Sequence, residues 1–296
     1  VTFIRNALFV VVVLEVFTPK IQACASCGSS GDDPLILFPN EWLKAYVGIS
    51  QAGNFKNIDP DGSISTAGGP TIKQTLTHAV GYGFSPRAFA TITIPVIRNA
   101  TKDQSLAGMG DPSFSGRYTL ALQSIDEPYF PQVQLILGYK HASARSLRES
   151  EELMTLTDVF GSGFSEAKAG VDVWFGMTKV KPGISQIYTC SRQRSFDGVD
   201  YEPGLISRST ASLAYQWLSG WKLSGGITRD ARRPLKVAGV EQNNSKQLNH
   251  SVFISSDFAL SPQATLRVAA SRQAALLNNH STTRSDSMSL AYMYSL

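Results

Sequence analysis

Cysteine is scarce: Cys24, Cys27 and Cys190 are the three in 296 residues. That is too few for a fold stapled by disulfides, and one close pair allows at most a local Cys24–Cys27 bridge. Charge is sparse too, at 17% Asp, Glu, Lys and Arg. The balance of 27 Lys plus Arg against 23 Asp plus Glu leaves +4 with no dense basic run, which excludes nucleic acid as the expected partner. His78, His250 and His280 have no Asp, Glu or Cys neighbours at ligand spacing, so no metal and no cofactor is expected. Long apolar runs are missing as well. Mean hydropathy is −0.06, which excludes a bundle of apolar helices. The apolar stretch at residues 7–14 is far short of the roughly 20 residues of a spanning helix.

What is present is alternation. In residues 284–296, Met288, Leu290, Tyr292, Tyr294 and Leu296 fall on one face, and Ser287, Ser289, Ala291, Met293 and Ser295 on the other. A period of two with one apolar face is a β-strand. Alternating aromatic and aliphatic residues to the last position are what the closing strand of a bacterial outer-membrane barrel requires. The opening residues read as an export address. Arg5 precedes the short apolar run, Glu15 and Pro19 cut it, and Ala23-Cys24-Ala25 is a small-residue cleavage site. The expected organisation is a signal peptide at 1–25, a periplasmic segment with Cys-x-x-Cys at 26–41, and a barrel at 42–296. Acylation of Cys24 is the minor reading. In CASCG the fifth residue is Gly28 rather than His, which disfavours covalent haem.

About twelve alternating segments follow from Trp42 onward, most near the ~9–11 residues of a tilted membrane strand. Short turns at 85–87, 124–130, 178–182, 219–220 and 261–263 alternate with longer polar connections, including 51–70, 98–110, 145–164 and 231–247. The expected fold is therefore all-β: a transmembrane antiparallel barrel with short periplasmic turns and long external loops. Strand phase puts Leu135, Leu137, Val171, Val173, Leu213, Tyr215, Trp217, Leu223, Leu266 and Val268 toward lipid. Tyr82, Tyr139, Tyr188, Trp221, Tyr292 and Tyr294 fall at the outer rows of an aromatic girdle. The same phase turns Lys73, Arg117, Lys140, Lys168, Asp172, Arg208, Lys222, Asp257 and Arg267 into the lumen, because a charge at the bilayer midplane costs several kcal/mol. These nine are the candidate solute path; a network of ion pairs filling a narrow barrel is the competing reading.

At GMGDPSFSGRYTL, residues 108–120, the chain resembles the outer-membrane barrel family named after the phenol-degradation meta-pathway protein (MetA-like). That family carries Gly-x-Gly-Asp just before a strand ending in Tyr-x-Leu. QVQLILGYKH and FGSGFSEAKAGVDVWFG follow in the family's order, so the resemblance spans roughly residues 42–296. The chain departs from it in lacking Pro-Thr-Gly after residues 132–140 and in ending on Leu296 rather than Phe. The resemblance implies a channel or transporter for small, hydrophobic molecules. In physical terms, Gly108 and Gly110 suit the left-handed backbone of a tight loop, with Asp111 capping N–H groups and Pro112 fixing strand entry.

The expected function is an outer-membrane channel passing a small hydrophobic or anionic solute by passive diffusion. The expected partners are that solute, outer-membrane lipid and, during biogenesis, the barrel assembly machinery; the expected state is a monomer. One alternative is an outer-membrane phospholipase-like enzyme, since His141-Ala142-Ser143 places a base and a nucleophile two residues apart. No Asn stands on the following strand to orient that base. A filled structural barrel that docks a periplasmic partner is the other.

Overall fold

Inward polar and outward apolar positions, repeated strand after strand, leave a sheet only one way to satisfy its edges in lipid, which is to close. The computed structural model describes residues 34–37, 41–66, 69–122, 130–176, 179–217, 220–276 and 279–296. The expected signal segment, Cys24 and Cys27 lie outside the described residues, as does most of 26–41. Fourteen strands share one sheet. Two short ones, Ile64–Thr66 and Ser105–Met109, pair alongside their neighbours, which leaves twelve in the wall.

The wall strands are β1 (Leu43–Ile58), β2 (Ile72–Ser85), β3 (Ala88–Ala100), β4 (Ser113–Ala121), β5 (Pro131–Lys140) and β6 (Glu166–Phe175). They continue as β7 (Val180–Ser191), β8 (Ile206–Gln216), β9 (Trp221–Arg232), β10 (Gln247–Ala259), β11 (Ala264–Gln273) and β12 (Thr282–Ser295). Each is antiparallel to the next, and β12 pairs back onto β1 from Lys44↔Ser295 to Ile58↔Thr282. Connections at one end are short, as at Pro86–Arg87, and those at the other end are long, the longest being residues 141–165.

The outer surface is apolar: Leu137 is 66% exposed and Leu213 55%, whereas inward Ile136 is 1% exposed and Asp172 0%. At the short-turn end Tyr215, Trp217, Trp221 and Phe258 form a row of rings, the first pair edge-on and the other two stacked, with centroids 4.5, 4.3 and 5.9 Å apart in that order. Amphipathic rings in such a belt sit at the lipid–water boundary.

Three details differ from expectation, each for a local reason. β1 continues to Ile58, because Gly53 and Asn54 make a bulge rather than a turn, with Asn54 at φ 58°. The turn itself is confined to residues 59–63, where the Asp59 N–H donates to the Ser63 carbonyl at 2.9 Å. β5, read from the sequence as the segment QVQLILGYKHASA ending at Ala144, stops at Lys140 because Asp111 Oδ1 captures the N–H groups of Ser143 and Ala144 at 3.1 and 3.0 Å. Gly108 and Gly110 are not left-handed: neither has positive φ. Their value is space, since a Cβ on Gly108 would stand 2.5 Å from the Phe160 ring and one on Gly110 would meet Ile97 and Pro95 at 2.9 Å. Asp111 caps N–H groups, but those of the distant residues 143–144 and of Ser162, at 3.0 Å, rather than local ones.

The long loops are ordered. Hairpins Arg194–Phe196/Val199–Glu202 and Leu235–Val237/Val240–Gln242 turn through Asp197-Gly198 and Ala238-Gly239, all at positive φ, and join into a four-stranded external sheet. Residues 141–165 fold back onto the inner wall, where buried Asn99 donates to the carbonyls of Thr157 and Val159 at 3.3 and 2.7 Å.

Candidate functional site

The interior is built in layers. At the short-turn end, residues 34–37 enter the barrel itself. Leu35 is fully buried against Ala79 and Met293, with Tyr46 alongside, and Ile36 and Leu37 pack on Phe89. Lys44 anchors this stretch, donating to the Ile36 carbonyl at 3.2 Å while pairing with Glu41 at 3.0 Å. Gly81 makes the fit: a Cβ there would stand 2.4 Å from Leu37 Cδ1. Leu37, Glu41, Gly83, Phe89, Thr119 and Gln134 enclose only about 10 Å³. These residues were expected ahead of the barrel, and nothing in their sequence marks them as its filling.

The next layers hold charges. Lys222 and Arg267 both grip Asp257, each at 2.6 Å, across β9, β10 and β11. Arg117 on β4 reaches across β5 to Asp172 on β6, and both side chains are 1% exposed. Toward the long-loop end Lys140 pairs with Glu166 at 2.8 Å, and Arg208 holds Asp230 through two contacts of 2.5 and 3.1 Å. Lys168 lies flat over Gly138, where a Cβ would meet its Cε at 2.4 Å. Lys73, opposite Ala52 and Asn99, shares the inward face.

All nine residues singled out from strand phase therefore stand on the inner face, and seven take part in the ion pairs just described. Sequence phase missed Arg232, Glu166 and Asp230, which join Lys140, Lys168 and Arg208 around the long-loop end. β9 was expected to end at Asp230, and Arg232 was assigned to a loop. A chamber of about 340 Å³ opens there among Ser113, Lys140, Glu166, Thr189, Arg208 and Arg232. A second, of about 420 Å³, lies at the rim between Asn57, Asp59, Gln247, Gln273 and Thr283. His141 and Ser143 are exposed beyond the end of β5 and share no hydrogen bond, so base and nucleophile are not assembled. Cys190 is a free thiol on the outer face of β7.

Asp158 fastens the long loop over the chamber side of the barrel. It accepts from Ser150 Oγ at 2.6 Å, the Glu151 N–H at 2.9 Å and Arg145 at 3.0 Å. Burial raises its pKa, but these donors outweigh burial and hold the carboxyl at about 2, below its ordinary 3.8. A depressed carboxylate stabilises its fold above the ordinary value and loses that contribution as pH falls toward the folded one. Loop anchorage should thus be complete at pH 5 and above and fall away between pH 3.8 and about 2. Pepsin digestion across that window is expected to nick residues 141–165 only at the acid end. Asp158→Asn should make Arg145 and Arg148 at least about tenfold more sensitive to trypsin at neutral pH, the ratio that ~1.4 kcal/mol of local opening represents. Equal digestion of parent and variant would show that the loop is held by other contacts.

No protein-family model matches the chain, and no curated protein matches it by sequence. Solved structures do. An outer membrane channel from Pseudomonas putida F1 superposes with TM-score 0.69 at 9% identity, over 90% of this chain and 99% of that one. The chain has an outer-membrane barrel fold. Two looser likenesses are the transport unit of the autotransporter AIDA-I from Escherichia coli (TM-score 0.45, 8% identity, 92% of this chain and 95% of that) and a Pseudomonas aeruginosa FadL homologue (0.42, 10%, 86% and 90%). At those scores they add nothing to the assignment.

Proposed function

We propose that this protein is a monomeric outer-membrane channel, passing a small solute by passive diffusion and closed at its periplasmic end by its own residues 34–37. One observation carries the reading. The element that closes the lumen is a short stretch outside the sheet, so the passage can open without breaking a wall strand. The chambers of about 340 and 420 Å³ at the opposite end give a solute somewhere to enter. The likeness to a solved outer membrane channel supports the same reading, as does the resemblance to the phenol-degradation meta-pathway barrels. That family's hydrophobic substrates fit less well, because the inner face here is lined mainly by charged and hydroxyl side chains. Lipid at the apolar belt and the assembly machinery during insertion are the partners this reading requires.

The filled-barrel alternative draws on the ion pairs Arg117–Asp172 and Lys222–Asp257–Arg267, which stand on the inner face of the wall. Liposome swelling with solutes of graded size separates the two readings. Swelling with the smallest solutes, fading as size rises, is the expected result. Folded barrel that admits none of them, with residues 34–37 released or not, would sink the channel and leave the filled barrel.

A further inference from the structure

We infer that the outward face of the barrel at its long-loop end is a docking surface for the phosphate groups of an outer-leaflet glycolipid. The inference needs this end to face outside; it does not need the lumen to conduct. Strand phase carries it. On β9 the exposed Ile227 is followed two residues later, on the same face, by Arg229. On β11 the exposed Val268 leads through Ala270 to Arg272, and on β12 the exposed Met288 leads through Asp286 to Arg284. Across the bulge in β1, Lys56 falls directly opposite Arg284. Two residues span about 7 Å of strand, so these cations border the apolar belt where lipid headgroups begin.

Asp286 is the one carboxylate on this face, and it is shared. Arg272 holds it through two contacts of 2.5 and 3.2 Å, Asn54 donates to it at 3.2 Å, and Arg284 is attracted to it without forming an ion pair. Lys56 and Arg229 make no hydrogen bond or ion pair among the described residues. The next acids along the chain, Asp59 and Asp61 in the turn after β1, are both engaged by Ser63. Even with those two counted, four cations exceed three carboxylates. Directly opposite side chains stand about 4.5–5.5 Å apart at Cβ, and like charges there repel. Lys56 and Arg284 therefore weaken the bare seam between β1 and β12, and a phosphate between them replaces that repulsion with two charge-assisted contacts. Thr66, opposite Lys56 on its other side, adds a hydroxyl. The apolar residues directly below select an amphiphile over free phosphate, because acyl chains can lie on Ile227, Val268 and Met288 while the headgroup meets the cations.

The test uses the full chain refolded in zwitterionic micelles. Native mass spectrometry counts retained lipid A, either carrying its phosphates or stripped of them. Retention of the phosphorylated form should exceed that of the stripped form at least about tenfold. Lys56→Gln with Arg284→Gln should lower it by about the same factor, as the loss of charge-assisted contacts implies. Arg229→Gln, on a different strand pair, should lower it independently. Lys236→Gln, in the external sheet, removes the same charge and should leave retention unchanged. The heat-modifiable band shift supplies a readout that a purely structural role would not move. Without lipid A, Lys56→Gln should unfold at the parent's temperature or above it, because a repulsion is relieved; with lipid A it should unfold below the parent. Equal retention of both lipid forms would mean that acyl chains alone dock there and would overturn the inference. Retention indifferent to all three cationic substitutions would do the same. Neither result bears on the channel, which solute flux decides.

Discussion

Asp172→Ala is expected to destabilise the folded barrel by about 3–5 kcal/mol, the usual cost of stripping one partner from a buried ion pair. The side chains of Arg117 and Asp172 are each 1% exposed, so the guanidinium left behind has little water to turn to. The pair sits deep because both residues fall on inward phases of strands that are two apart, bridged over β5 at the level of Ile136 and Gln134. Taking two charges out of water is costly, so the pair is poor evidence of net stabilisation; it is strong evidence of what a single truncation does. Arg117→Met with Asp172→Leu should recover most of the loss, since neither buried charge then remains. Urea midpoints of barrel refolded into lipid vesicles, read by the heat-modifiable band shift, give both values. A single variant within about 1 kcal/mol of the parent would mean that water reaches this layer, which in turn would favour a wetter lumen.

Much of this architecture was legible because a barrel wall obeys a period of two. Val171 and Asp172 announce opposite faces by adjacency, and a residue whose charge lipid cannot tolerate has one direction left. The alternation of turn lengths was equally readable, since Pro86, Gly220 and Pro262 punctuate hairpins by their backbone limits. Asp197-Gly198 belongs to the same vocabulary and Ala238-Gly239 does not, yet both hairpins went unread inside loops. The layers inside the wall were illegible for a different reason. Nothing in Leu35-Ile36-Leu37 tells a membrane anchor from a lumen plug, and the contact of Asp111 with residues 143, 144 and 162 depends on where two loops meet. Arg232 escaped because strand ends are set by partners: Gln247 and Ile206 extend the ladder past the last alternating residue. Phase reads faces well and fillings poorly.

That limit makes the plug the place to press. Replacing Leu35 and Leu37 together by Ser is expected to raise single-channel conductance sharply in planar bilayers. Fully burying a leucine is worth about 1.5–3 kcal/mol, so the double change removes roughly 3–6 kcal/mol from the closed state. At 1.4 kcal/mol per factor of ten, the open fraction should rise by about 10²–10⁴. A parent that opens rarely would become one that stands mostly open. Gly81→Val attacks the same contact from the wall, since its Cβ would fall 2.4 Å from Leu37 Cδ1, and it should open the channel without touching the plug's own sequence. Agreement between the two variants would separate release of the plug from any effect on the segment before it. Lys44 adds a checkable asymmetry, because the ammonium that holds the Ile36 carbonyl is also paired with Glu41. Glu41→Gln should therefore open the channel more weakly than the leucine pair, and its effect should shrink at high salt, where the pair in the parent is already screened. If both plug variants fold and conduct no better than the parent, the barrier lies deeper, in the layer where Arg117 meets Asp172. The charge-free pair described for that layer would then be the variant to record.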